Sequence, residues 1–178
     1  MSRTCYALIT CVCMAILGGC SSHRYIVNDP VSMPMGSFAS VEVGSFTTNV
    51  NSDAARSLAE ILPQRIVTTL QETKHSKTNK PLFEKVTLSQ DGQGNVLSLK
   101  GTIISLEEGS RAKRYFVGFG SGKAFTTVEC TFIDKSTGTK VARATFDGEL
   151  SMGFFGGSPD EATAGVLNAI VKYVNDNY

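Results

Sequence analysis

The chain of 178 residues contains no tryptophan and only two histidines, and its 17 lysines and arginines nearly balance its 16 aspartates and glutamates. This balance excludes the strongly basic composition of nucleic-acid-binding domains. Hydrophobic residues make up 42% and charged residues 19%, so the composition is not that of a disordered chain either. No apolar run reaches the roughly 18 residues that a membrane-spanning helix needs. One globular domain of ordinary size, with short extensions, fits these limits.

The first 20 residues contain a positive start at Arg3, an uncharged apolar run over residues 5–17, and a cysteine. The apolar run is too short to span a bilayer and is typical of a signal-peptide core. A leucine and two glycines precede Cys20, which resembles the bacterial lipobox. We therefore predict that residues 1–19 are a lipoprotein signal peptide and that Cys20 carries the lipid anchor, which includes palmitate. The alternative is an ordinary signal peptide or an uncleaved anchor, with Cys20 incidental.

The residue after Cys20 is Ser21 and not aspartate. By resemblance to enterobacterial sorting, this favours an outer-membrane lipoprotein that faces the periplasm, attached to the membrane through the lipid on Cys20. Three cysteines leave with the signal peptide, so Cys130 is the one thiol left in the mature chain and no intrachain disulfide can form. We expect Cys130 to be a buried core residue.

Residues 20–37 mix serine, proline, glycine and polar residues without a sustained period, which predicts a lipid-anchored tether. Some of its apolar side chains, such as Tyr25 and Met35, could dock on the domain surface. Structured patterns start at Phe38, so we predict a single domain over residues 38–178.

The patterns in this domain predict two helices and a run of strands. Apolar residues at helical spacing over residues 51–73 form one face, capped by Ser52 or Asp53 and bent or broken near Pro63. Alternating segments predict strands, with a bulge at Ile103–Ile104 and a hairpin around Gly138. A capping box at residues 158–161 opens the last helix. The predicted fold class is α+β, a mostly antiparallel sheet of about four or five strands with two helices packed on one face.

Residues 107–124 (EEGSRAKRYFVGFGSGKA) and residues 151–158 (SMGFFGGS) are rich in glycine and aromatic residues. The first lacks the glycine and the hydroxyl residue that a phosphate-binding P-loop requires, so we expect no nucleotide. Cations and rings on a pliable backbone can instead meet a partner, lipid headgroups or an anionic polymer. The alternative is that the glycines mark tight corners and the aromatic rings pack under the sheet. The candidate partner-binding residues are Arg111, Lys113, Arg114, Tyr115, Phe119, Lys123, Phe154 and Phe155.

This succession, with the hairpin at DKSTGTKV and the helix start at GFFGGSPDEA, resembles a bacterial lipoprotein family, domain of unknown function 4410. The resemblance implies a lipid-anchored envelope domain with no established activity. The architecture also looks similar to the periplasmic domains of curli-secretion lipoproteins and penicillin-binding-protein activator lipoproteins, a likeness at the level of fold.

No constellation of catalytic residues is recognisable in the sequence. Glu107 and Glu108 are adjacent, so on a strand they point to opposite faces, and His75 lies in a lysine-rich loop. We therefore predict no enzyme, no catalytic residue, no metal and no cofactor, and a non-catalytic binding or assembly module with an envelope protein as partner. Two alternatives remain, a subunit of a homo-oligomeric envelope export or coat structure, and an envelope hydrolase.

Overall fold

The computed structural model describes residues 24–89, 94–107, 124–150 and 159–178. Within these ranges the chain forms β1 (Arg24–Asp29), β2 (Ser40–Thr48), α1 (Asp53–Glu72), β3 (Lys85–Leu88), β4 (Val96–Glu107), β5 (Ala124–Asp134), β6 (Lys140–Leu150) and α2 (Pro159–Asp176). The strands join in one six-stranded sheet of order β1-β6-β5-β4-β2-β3. The α+β class predicted from the sequence is confirmed, with two helices and one more strand than the upper expectation.

The sheet is mixed: three of its five strand pairings are antiparallel, close to the expectation of a mostly antiparallel sheet, and two are parallel. The pairs β1–β6, β6–β5 and β5–β4 are antiparallel, whereas β2 lies parallel to both of its neighbours, β4 and β3. The reason is the long helix α1, which follows β2 and returns the chain to the end where β2 began. Strands joined through such a crossover run parallel.

The strand that was not expected is β1, which lies inside the segment predicted to be a tether. Residues 24–27 pair antiparallel with β6, from Arg24 opposite Asp147 to Val27 opposite Ala144, and after a register shift Asp29 pairs with Arg143. Most of its side chains are exposed on both faces, because β1 is an edge strand, and Tyr25 is the apolar residue of β1 that packs against the core. One partly buried apolar side chain leaves no alternation in the sequence, so the pattern of residues 20–37 did not reveal the strand. The folded sheet therefore begins at Arg24 and not at Phe38.

Helix α1 begins as predicted, because the Ser52 side chain accepts a hydrogen bond from the backbone N–H of Ala55. It does not break at Pro63, which is buried in the middle of a continuous 20-residue helix. The apolar side chains that this helix buries offset the single hydrogen bond that proline removes. No helix in the described ranges is both long enough and apolar enough to cross a membrane.

Both helices cover one face of the sheet, and the core lies between them and that face. Alternate residues of the central strands are buried there, among them Leu99, Cys130 and Phe146. The register shifts between Ile103 and Ser105, which confirms the predicted bulge, and Gly138 has a positive φ of 71° in the β5–β6 hairpin. The opposite face carries no helix of the described residues, and we call it the open face.

Candidate functional site

The candidate partner-binding residues lie outside the described residues. This holds for all eight: Arg111, Lys113, Arg114, Tyr115, Phe119, Lys123, Phe154 and Phe155. The predicted lipidation site, Cys20, lies outside them too. What the structure does give is the place at which each of these segments joins the sheet.

The two glycine-rich segments join the sheet at the same end. Glu107, the last residue of β4, pairs with Phe125, and Ala124, the first residue of β5, pairs with Leu150 at the end of β6. Residues 108–123 connect β4 to β5, and residues 151–158 connect β6 to α2. The stems of both segments are therefore neighbours in the sheet, which the sequence could not establish, because strand register is not a local property.

Strand β1 begins at this same end. Its first residue, Arg24, pairs with Asp147, only three positions before the end of β6. Counting across the sheet, Asp147 pairs with Thr127 and Thr127 with Ser105, so Arg24 is level with residues that lie two or three positions from the ends of the two stems. We call this end of the sheet, with Arg24, Glu107, Ala124 and Leu150, the anchor end, because the chain that leads to Cys20 leaves the domain here.

Apolar side chains on the open face are exposed near the anchor end. Phe125 is 45% exposed, Ile104 at the bulge is 42% exposed, and Ile26 on β1 is 60% exposed. Ile104 follows the buried Ile103 at the bulge and faces away from the core. Phe125 has the same parity as Thr127 and Glu129, which places it on the open face by the alternation of β5, whereas the exposure of Ile26 followed from no pattern.

The rest of the open face is charged and internally paired. Asp29 accepts from Lys140 Nζ at 2.6 Å and from Arg143 Nε at 3.0 Å, and Arg143 also lies 3.7 Å from Glu129. The hydrogen bond from Lys140, with smaller contributions from Arg143, lowers the pKa of the Asp29 carboxyl against the opposing effect of desolvation. Lys135 Nζ contacts the buried carboxylate of Glu42 at 2.5 Å. The far half of the open face thus carries its charges in ion pairs, whereas the anchor end carries Arg24, Asp147 and Glu107 beside the exposed apolar side chains.

A groove of about 780 Å³ lies at the other end of the sheet, beside the edge strand β3. Its walls include residues 36–39, residues 80–87 and Tyr178. The Tyr178 ring packs against Gly36 and lies 4.9 Å from the His75 ring and 5.9 Å from the Phe83 ring, measured between centroids. One backbone carbonyl of β3, that of Val86, already accepts a hydrogen bond, which Gln71 Nε2 donates at 2.8 Å.

Cys130 and His75, the described cysteine and histidine, lie in different parts of the fold, one in the core of β5 and the other in a loop. Cys130 is fully buried, and desolvation, aided by the charge of Glu129, raises the pKa of its thiol far above the usual range. His75 Nδ1 shares a hydrogen bond with the Thr78 hydroxyl at 3.1 Å, in a loop at the groove end of the sheet. Within the described ranges no three His, Cys, Asp or Glu side chains are grouped so that they could hold a metal ion.

Solved structures of known proteins resemble this chain in fold. PelC from Paraburkholderia phytofirmans, a dodecamer in two crystal forms, superposes with a TM-score of 0.53 at 16% identity over 87% of this chain and 96% of its own, and with 0.50 at 19% identity over 85% and 94%. A Xanthomonas campestris protein of family DUF330 reaches a TM-score of 0.44 at 11% identity, over 86% of this chain and 89% of its own. At such identities the likeness shows the fold alone.

No curated protein matches the chain. A family model does match, over residues 47–153, and its description is "Domain of unknown function (DUF4410)". The matched range is more than half of the chain and extends from the last residues of β2 through β6, with the first glycine-rich segment and the first three residues of the second. This protein therefore belongs to the DUF4410 family, as its sequence motifs indicated.

Proposed function

We propose that this protein is an outer-membrane lipoprotein facing the periplasm, anchored by a lipid on Cys20, that acts as a non-catalytic binding or assembly module. The observation that carries the proposal is the shared anchor end. Two segments rich in glycine, cations and aromatic rings join the sheet on adjacent strands, so their side chains can contribute to one surface. Catalysis has no comparable support, since the buried thiol of Cys130 and the loop histidine His75 lie apart.

Anchoring is tested by metabolic labelling with palmitate and by membrane fractionation of the full-length chain. We expect the label and the outer-membrane fraction to be lost together in Cys20→Ala. Cys13→Ala, inside the apolar run of the signal peptide, is the matched control and should change neither. Labelling that persists in Cys20→Ala contradicts the anchoring proposal.

Binding is tested by a photoreactive residue at Phe119 in cells, followed by mass spectrometry of the crosslinked products. A single dominant envelope protein supports a binding module, and the triple substitution of Arg111, Lys113 and Arg114 by serine should abolish its capture. The control places the photoreactive residue at Thr137, which is exposed in the β5–β6 hairpin at the opposite end of the sheet. If the triple variant captures the same protein, these cations are not the site.

A second candidate is a subunit of a homo-oligomeric envelope structure. The fold likeness to PelC, a dodecamer, favours it, and so does the edge strand β1, on which Ile26 and Val27 are 60% and 47% exposed. Exposed apolar edge strands are ready sites for pairing with another chain. Native mass spectrometry of the mature chain with Cys20→Ala decides: a defined ring supports this candidate, and a monomer at high concentration contradicts it.

A further inference from the structure

The position of the anchor end fixes how close the sheet lies to the lipid. Three residues separate Cys20 from Arg24, and a fully extended chain covers at most about 14 Å over that interval. Phe125 lies two residues along β5 from Thr127, which is level with Arg24, whereas Asp134, at the other end of the same strand, lies about 30 Å from Phe125. With Cys20 lipidated, the domain has no long tether, and its anchor end is held next to the bilayer.

The distribution of side chains on the open face agrees with this placement. The exposed apolar residues Phe125 and Ile104 lie near the anchor end, together with the exposed cation Arg24. Two carboxylates lie there as well, Glu107 opposite Phe125 and Asp147 opposite Arg24 in the strand register, so the exposed apolar side chains support lipid contact and a net positive charge does not. Large apolar side chains and cations are the residues that favour a membrane interface with anionic headgroups. The far half of the same face is occupied by the paired charges of Asp29, Lys140 and Arg143, which would lose hydration if the sheet lay flat on lipid.

We infer that the anchor end is a lipid-contacting surface, with Phe125, Ile104 and Arg24 at the bilayer and the β5–β6 hairpin and the β3 groove directed away from it. This inference rests on the proposed anchoring at Cys20. It goes beyond that proposal because it assigns a partner, the phospholipid surface, to described residues of the domain.

The test uses the full-length lipidated protein in vesicles of phosphatidylethanolamine and phosphatidylglycerol that contain a headgroup-nitroxide lipid. An environment-sensitive fluorophore is attached through Phe125→Cys in one sample and through Thr137→Cys in the other, two positions at opposite ends of β5. The buried thiol of Cys130 does not compete for the label. Glu107→Cys, at the exposed end of β4, replaces Phe125→Cys if that variant does not fold.

We expect the nitroxide lipid to quench the anchor-end fluorophore several times more strongly than the one at Thr137. Equal quenching at the two positions, or stronger quenching at Thr137, overturns the inference. If the same sample still binds vesicles, the anchoring proposal stands. Protein that is neither lipidated nor vesicle-bound overturns both. Crosslinking between copies through the anchor end, without quenching by lipid, assigns this surface to a second copy and also overturns the inference.

Discussion

The Tyr25 hydroxyl donates a hydrogen bond of 2.8 Å to Oδ2 of Asp176, and so joins the first strand of the sheet to the last turn of the carboxyl-terminal helix. Lys172 Nζ donates to the same oxygen at 2.6 Å and lies 5.9 Å from the centroid of the Tyr25 ring. The ring itself packs edge-on against Tyr173 at 5.1 Å. Edge strand β1 is therefore attached to the domain by side chains of α2 as well as by its pairing with β6.

Removing the Tyr25 hydroxyl should weaken this attachment. We expect Tyr25→Phe to lower the free energy of unfolding by about 1 kcal/mol, because the hydrogen bond to Asp176 is lost while the ring contacts remain. Urea denaturation of the mature chain with Cys20→Ala measures the change. A variant as stable as the parent would show that water replaces the bond without cost.

The same substitution at Tyr173 should have the opposite effect on the free energy of unfolding. Tyr173 is fully buried, and its hydroxyl has no hydrogen-bond partner within the described part of the chain. Tyr173→Phe removes a buried polar group that is not compensated, so we expect the free energy of unfolding to rise by up to about 1 kcal/mol. The two Tyr→Phe variants are each other's control. A loss of stability at Tyr173 would mean that its hydroxyl is hydrogen-bonded.

Protonation of Asp176 should lower the stability of the fold in acid. Burial alone would raise the pKa of this carboxyl, but the hydrogen bonds from Lys172 and Tyr25 outweigh it, and the net effect lowers the pKa. The contribution of a carboxylate with a lowered pKa is present above its unfolded pKa of about 3.9 and is lost as pH falls through the folded value. Asp176→Asn should therefore lower the free energy of unfolding at neutral pH, and should lower it by a smaller amount below pH ~4.

Urea midpoints across this pH range measure the effect of Asp176. Some acid sensitivity should persist in Asp176→Asn, because the pKa values of Asp29 and Asp134 are lowered as well. An unchanged pH dependence in the variant would exclude Asp176 as a contributor.

Gly148 should not tolerate a side chain. A Cβ at this position of β6 would collide with the backbone of Val166 and with Gly165 in α2, so the helix would have to move away from the sheet. Overpacking of this kind costs about 1–3 kcal/mol, which is the loss that we expect for Gly148→Ala. Gly44→Ala is the matched control, because the nearest atoms there are 3.4 and 3.5 Å from the added Cβ. Equal stabilities of the two variants would contradict the close packing of α2 on β6.

Cys130 should report unfolding through its reactivity. Its thiol is fully buried and its pKa is raised, and thiol reagents attack the thiolate. The mature chain carrying Cys20→Ala is mixed with a chromogenic disulfide reagent. We expect no reaction of the native protein, and reaction of one thiol per chain after denaturation. Complete reaction under native conditions would show that the core around β5 opens readily.

The local features of the fold could be predicted from the sequence. The cap at Ser52, the bulge between Ile103 and Ser105 and the turn at Gly138 each depend on neighbouring residues, and all are confirmed. What could not be predicted depends on distant contacts. Strand β1 has only Tyr25 packed against the core, too little to produce a recognisable alternation, and the helix continues through Pro63 because the core packs around it.

The candidate site was predictable in composition but not in position. The glycine-rich segments are recognisable from their residues, whereas their common end of the sheet follows from the pairing of Glu107 with Phe125 and of Ala124 with Leu150. The closeness of that end to Cys20 follows from the pairing of Arg24 with Asp147. Register across three strands determines both relationships, and periodicity in a single strand does not encode it.

The pairing of β1 with β6 also orders events during synthesis. Arg24 is made early, and its partner Asp147 follows 123 positions later. Tyr25 forms its hydrogen bond with Asp176, which follows 151 positions later in the last turn of α2. Such long-range closure folds late and slowly. The edge of the sheet at β1 therefore forms only after α2 has been synthesised.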